Sequence, residues 1–242
     1  MSGRLAELRA PRHGPGVCVR CFNFTREQGH ELCFACATGE QHLDAMVPIA
    51  YSVAHEQFHH DLVRYKRYAD PWVEMAAARL AMLLERFLAM HESCVAATAG
   101  IATFDLVTTV PSGEAGRDEY HPLRRIVGDM VESTADRHER LLRRSSATVP
   151  PRVFDPARYE AVRPLAGANV LLIDDTWTTG ASAQSAAAAL KAAGAARIGA
   201  VVLGRHLNRE WCENDRRLRR IARPLRLSVC ALCAAGPEVQ AA

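Results

Sequence analysis

The stretch that most restricts this chain's fold runs from Asn169 to Gly204. NVLLID, residues 169–174, is apolar without alternation until its final acid, the pattern of a strand covered on both faces. AQSAAAALKAAG then reads as a helix stopped by Gly194, and ARIGAVVLG as a second apolar strand. Strand, helix and strand in so short a span form a βαβ unit. A crossover of that kind joins parallel strands, so the expected fold class is α/β, a parallel sheet flanked by helices.

The first strand runs into Asp174-Asp175-Thr176-Trp177-Thr178-Thr179-Gly180-Ala181-Ser182. Open α/β sheets bind ligands at the carboxyl ends of their strands. The unpaired N–H groups at the start of the next helix suit a phosphate. Thr178, Thr179 and Ser182 add hydroxyls, and Gly180 lets the backbone come close. Asp174 and Asp175 would repel a phosphate, but they suit the hydroxyls of a sugar or a hydrated Mg²⁺. The ligand this describes is a sugar phosphate. A helix cap alone accounts for one or two polar residues, not for the whole ordered run.

The run resembles the phosphoribosyl diphosphate (PRPP) signature of type I phosphoribosyltransferases: apolar strand, Asp-Asp, two residues, Thr-Thr-Gly, any residue, Thr or Ser. The resemblance implies that Asp174 and Asp175 hold the ribose hydroxyls as the catalytic pair. Thr178, Thr179, Gly180, Ala181 and Ser182 would cradle the 5′-phosphate. Thr176 and Trp177 would also touch substrate, Trp177 by stacking on or capping the site. FDLVTTV, residues 104–110, reads as a second buried strand, and Ser112 and Gly113 after it suit a pyrophosphate loop, with Arg117 as a further candidate.

Cys18-x2-Cys21-x11-Cys33-x2-Cys36 brings two pairs of thiolates together, the spacing of a tetrahedral zinc site. Few apolar residues surround them, so a bound ion would supply the stability the segment lacks. Four sulfurs close the coordination shell, which makes the site structural. A zinc ribbon ahead of a PRPP signature resembles the ComF family of phosphoribosyltransferase-like bacterial proteins. Further matches are Tyr51, Leu62-Val-Arg-Tyr-Lys66-Arg-Tyr68 and FDLVTTVP; the Arg-Gly-Phe-Asn-Gln stretch usual after the pyrophosphate loop reads here as Arg117-Asp-Glu-Tyr-His121-Pro-Leu. The resemblance implies a type I phosphoribosyltransferase-like fold, Mg²⁺ bound with PRPP, and zinc in the ribbon. The implied activity is transfer of the phosphoribosyl group to a nucleobase-like nitrogen acceptor. The alternative is a non-catalytic PRPP- or nucleotide-binding protein, or a DNA-uptake accessory of the ComF type.

Other segments carry weaker signals. Residues 46–92 read as largely helical, with the strongest helix after Asp70–Pro71, and HPLRRIVGDMVEST as one more helix. Residues 137–168, rich in Arg and Pro, read as an irregular functional loop whose arginines could close over pyrophosphate. His55-Glu56-Gln57-Phe58-His59 matches the zinc-protease pattern H-E-x-x-H, a short pattern that arises often by chance. Cys212, Cys230 and Cys233, with His206, are a candidate second metal set, weighed against buried or reduced thiols; Cys94 reads as a small buried residue.

The chain divides into a loose start (1–16), a zinc-ribbon-like module (17–45), a phosphoribosyltransferase-like domain (46–207) and an Arg/Cys-rich tail (208–242). A net charge of +3, from 30 basic and 27 acidic residues, is too balanced to mark a nucleic-acid binder. Only Lys66 and Lys191 are lysines, and neither stands in a Walker-type phosphate loop. With no long apolar run and no apolar core in the opening residues, the expectation is a cytoplasmic protein with no membrane partner. Nucleic acid, through the tail arginines, and a second copy of the chain remain further candidate partners.

Overall fold

The computed structural model describes residues 7–27, 29–67, 71–113 and 120–233. Strand β1 (Arg9–Ala10) precedes a short helix, α1 (Phe34–Thr38), in the cysteine-rich segment. Then come β2 (Ala45–Val53), α2 (Gln57–Arg64), the long α3 (Val73–Thr98) and β3 (Leu106–Thr109). α4 (Pro122–Arg125), a π-helical turn (Ile126–Met130) and α5 (Glu132–Ala135) lead to a hairpin of β4 (Leu142–Arg144) and β5 (Tyr159–Ala161). The βαβ unit is β6 (Val170–Trp177), α6 (Ala181–Ala192) and β7 (Ile198–Leu207); α7 (Asn214–Ile221) and β8 (Arg223–Pro224) follow.

Six strands form the central sheet in the order β3-β6-β7-β2-β1-β8. The first four are parallel, and the short β1 runs antiparallel to both β2 and β8. The apolar strands read as predicted because successive residues enter opposite cores. Leu171, Ile173, Val201 and Leu203 pack in the core that holds Leu84, Phe87 and Val95 of α3. Val170, Leu172, Ile198, Ala200 and Val202 pack with Ala183, Ala186 and Ala187 of α6. Truncating a fully buried leucine such as Leu171 to alanine in either layer costs about 2–5 kcal/mol. Among the described residues no helix is long and apolar enough to cross a membrane.

Three expectations need correction. Residues 45–53 are a strand, not the start of a helical region. All nine of its residues are buried, so AMVPIAYSV shows no alternation, and an unbroken apolar run does not distinguish strand from helix. Pro48 is tolerated there because β1, the neighbour opposite β7, reaches only as far as Tyr51. The HPLRRIVGDMVEST helix is broken by the π turn. A side chain at Gly128 would come within 2.6 Å of His138 Nδ1, and Thr134 Oγ1 donates 2.5 Å to the Val127 carbonyl that the break leaves over. Residues 137–168 are largely pinned. β4 and β5 pair, Arg137 binds Glu92 at 2.6 and 2.9 Å, Arg143 binds Glu160 at 2.8 Å, and the buried Arg158 donates to the Pro150 and Val153 carbonyls. Arg137 and Arg143 are thus engaged by carboxylates in the fold.

The cysteine-rich segment is joined to the sheet. Phe22 and Phe24 share the α3-side core, and Tyr51 of β2 donates to the Phe22 carbonyl at 2.8 Å. α7 closes over the segment, with Arg217 donating to the carbonyls of Thr25 and, at 3.1 Å, Arg26.

Candidate functional site

A cleft of about 520 Å³ opens at the carboxyl ends of β3 and β6. Asp174, Asp175, Thr176, Thr178 and Ser182 line one side, and Val110, Pro111, Ser112 and Gly113 line the other. The parallel pairing of β3 with β6 brings the two loops together, since Thr109 lies opposite Ile173. Tyr159 also lines the cleft; its hydroxyl lies 3.4 Å from the Pro111 carbonyl and bonds Ser182, and burial pushes its pKa up to about 12.

The turn between β6 and α6 is built on Gly180, whose φ of +88° is left-handed. A side chain there would also strike the Trp177 ring. Thr179 Oγ1 accepts from the Ala181 N–H at 3.3 Å, so Thr179, Gly180 and Ala181 shape the turn itself. Trp177 does not cap the cleft. It is the last residue of a strand whose alternate positions are buried, so its ring turns into the α6-side core. Arg117 lies outside the described residues.

The two aspartates sit in different environments. Asp175 is buried; Tyr65 donates its hydroxyl to Oδ2, and Lys66 Nζ stands 2.6 Å from the same oxygen. The Lys66 charge outweighs burial and holds the Asp175 carboxyl below its usual range. Asp174 faces the cleft, and its Oδ1 accepts from the Asp175 N–H at 2.9 Å. Burial and the Asp175 charge push its pKa up to about 7. Both acids line the cleft, but Asp175 is engaged by Tyr65 and Lys66, whereas Asp174 accepts from the Asp175 N–H. The Asp-Asp pattern gave both acids one role and did not reveal their partners. Lys66, one of two lysines in an arginine-rich chain, was the signal in the sequence that could have found this pair.

His59 lines the same cleft, with Nδ1 3.3 Å from Ser52 Oγ and its ring 5.3 Å from His206. Burial and the charges of His60 and His55 lower its pKa, so it is neutral at pH 7. The H-E-x-x-H pattern does not form a metal site. α2 starts only at Gln57, His55 has a φ of +69°, and Glu56 accepts from Arg9 at 3.1 Å and from Arg209. The two histidines therefore do not share a helix face. A larger groove of about 1460 Å³, lined by Arg9, Trp72, Met75 and Arg79 among others, holds none of the strand-end residues.

Cys18, Cys21, Cys33 and Cys36 converge, every sulfur within 4.8 Å of the others and Cys21 to Cys33 at 3.5 Å. Four sulfurs on ~2.3 Å bonds to one zinc would stand about 3.8 Å apart, so the group could hold that ion. Arg205 of β7 joins this cluster to the end of β6. It is 1% exposed, and it donates to the Cys21 carbonyl at 2.9 Å and to the Trp177 carbonyl at 2.8 Å, with Cys21 Sγ 3.8 Å away. Among the described residues no carboxylate pairs with it. A zinc ion held by four thiolates would be net negative and would supply a counter-charge.

The tail cysteines group differently from the expectation. Cys212 is exposed and His206 stands against His59, whereas Cys230 and Cys233 meet His91 and Cys94 of α3 in a second set that could hold a metal. No protein-family model matches the chain, and no curated protein matches it.

Proposed function

We propose that the cleft binds PRPP and that the chain is a phosphoribosyltransferase of the type I fold, transferring the phosphoribosyl group to a nitrogen nucleophile. The observation that carries this reading is the pairing of two loops across one cleft. The Asp174–Ser182 turn faces Ser112 and Gly113 at the carboxyl ends of adjacent parallel strands. About 520 Å³ lies within the ~300–1,000 Å³ usual for small-molecule sites.

In this reading the ionised Asp174 accepts hydrogen bonds from the ribose hydroxyls. Thr178, Ser182 and the first N–H groups of α6 take the 5′-phosphate. The Ser112–Gly113 backbone and Lys66, 2.6 Å from Asp175, face the diphosphate. As the C1′–O bond breaks, diphosphate leaves with the electron pair, and positive charge grows on the ring, as in glycoside cleavage. The acceptor nitrogen then closes the C1′–N bond and gives up its proton. The carboxylates fit Mg²⁺ only in part. Lys66 already occupies Asp175, so an ion would take Asp174 at most, with phosphate oxygens and water completing its shell. Bound there, Mg²⁺ would offset the charge developing on the diphosphate. The four-cysteine cluster holds zinc as a structural ion.

The test is titration calorimetry with PRPP and Mg²⁺, followed by a pyrophosphate-release screen over a nucleobase panel. The reading expects binding, pyrophosphate release with at least one base, and loss of both in Asp174→Asn. Binding without release from any base would leave the non-catalytic reading, which the Lys66 pair occupying one of the two acids favours. No PRPP binding would overturn both.

A further inference from the structure

We propose that His91, Cys94, Cys230 and Cys233 form a second zinc site, which staples the C-terminal tail across α3. The four ligand atoms, Nδ1 and three sulfurs, lie within 4.8 Å of one another. His91 Nδ1 is 3.7 Å from Cys94 Sγ and 3.9 Å from Cys233 Sγ. A tetrahedral zinc with ~2.3 Å Zn–S and ~2.0–2.1 Å Zn–N bonds sets its ligand atoms about 3.6–3.8 Å apart.

The hydrogen bonds around the group are those of a metal site. His91 Nε2 lies 2.7 Å from the Leu227 carbonyl oxygen. A carbonyl can only accept, so the proton sits on Nε2. With Nε2 so engaged, Nδ1 is the ring nitrogen turned toward the three sulfurs, an orientation fixed as the outer partners of metal-bound histidines fix it. Backbone N–H groups point at the tail sulfurs as well: Cys230 N to Cys233 Sγ at 3.1 Å and Cys233 N to Cys230 Sγ at 3.4 Å. Such bonds fix the positions of the two sulfurs. His91 and Cys94, three residues apart on α3, share a helix face.

Three thiolates and one imidazole select zinc over the oxygen-loving cations. A full set of four leaves no position for a substrate, so the role is structural. The site also lies away from the cleft. Val95, next to Cys94, packs on the position of Gly199 near the start of β7, toward the amino ends of the parallel strands. Between Leu225 and Leu232 the described tail has turns at 227–228 and 231–232 and no helix or strand. Leu225, Cys230 and Ala231 are buried against the α3-side core. Coordination at both ends of Cys230-x2-Cys233 adds a fixed point to a segment that Leu225, Leu227, Ala231 and Leu232 already pack on the core.

The experiment compares the zinc content of the full chain, purified under reducing conditions without added metal, with that of the double variant Cys230→Ser, Cys233→Ser. The variant is expected to lose one zinc per chain, with its helical circular dichroism kept. A variant that retains as much zinc as the wild-type chain overturns the proposal. Should the variant aggregate, timed maleimide labelling of the wild-type chain decides instead. The exposed Cys212 reacts at once, while Cys233, also exposed, is expected to react at least tenfold more slowly until a strong chelator is added. Equal labelling of Cys212 and Cys233 before chelation overturns it.

Discussion

The two four-ligand clusters share their chemistry and differ in how the chain assembles them. Cys18, Cys21, Cys33 and Cys36 come from one short segment with few apolar residues of its own. His91, Cys94, Cys230 and Cys233 come from the middle of a 26-residue helix and from the far end of the chain. An ion in the first organises a segment that cannot organise itself. An ion in the second can bind only after the sheet and α3 have formed, and it fixes a tail to a surface that already exists. The first is also tied to the end of β6, the strand whose next turn lines the cleft, because Arg205 touches both Cys21 and the Trp177 carbonyl. The second has no such link.

This contrast predicts a graded series of effects. The largest belongs to Cys21→Ser. It removes a ligand and the anion beside Arg205, at a cost of several kcal/mol out of the ~5–15 kcal/mol that hold a domain together. Thermal melting should show a collapse of folded protein, and PRPP binding should go with it. A double-mutant cycle with Arg205→Met sharpens the point. If the cluster is the counter-charge, the two changes couple by about 1–3 kcal/mol, and strict additivity would remove the wiring argument.

Cys94→Ser should be milder, about 1–3 kcal/mol, or a few degrees of melting temperature for each kcal/mol in a chain of this size. Hydrogen exchange should show the loss confined to residues 225–233, with PRPP affinity unchanged. Weakened PRPP binding in this variant would break the distinction between the two clusters.

Gly180→Ala should cost at least ~1–2 kcal/mol, because φ is +88° and the new methyl meets Trp177. PRPP affinity should fall about tenfold or more while the zinc content stays at the wild-type value.

The last effect, seen only when conditions change, is pH dependence in the cleft. Asp174 has a pKa of about 7 against an ordinary 3.8, so folded protein holds this proton more tightly than unfolded chain. Its contribution to stability is full below pH 3.8 and is lost as pH rises to about 7. Asp174→Asn should therefore gain stability relative to wild type at pH 8 and not at pH 4. Ribose hydroxyls need the carboxylate as acceptor, so PRPP affinity should fall up to tenfold per unit below pH 7 and level off above it. Calorimetry across pH 5.5–8.5 checks this, and a flat profile would remove Asp174 from the binding role.

Much of this was legible in the chain itself. NVLLID and ARIGAVVLG announced parallel strands because both of their faces are buried, and C-x2-C-x11-C-x2-C announced a metal set because its ligands are neighbours in sequence. The Asp174–Ser182 turn was legible for the same reason: its order of residue types is local. β2 was not, because nine buried residues in a row carry no period. The roles of Asp174 and Asp175 were not, because Tyr65 and Lys66 come from the end of α2 to set them apart.

The sequence alone determined the βαβ unit, the strand-end turn and the first cysteine cluster, since each rests on spacing within a few dozen residues. Only the tertiary structure decided which aspartate pairs with Lys66, that Trp177 packs inward, that Arg205 joins the cysteine module to the end of β6, and that Cys94 belongs with Cys233. Those facts arise where distant segments meet. Electrostatic and coordination energies depend on separation in space, and separation along the chain does not set it.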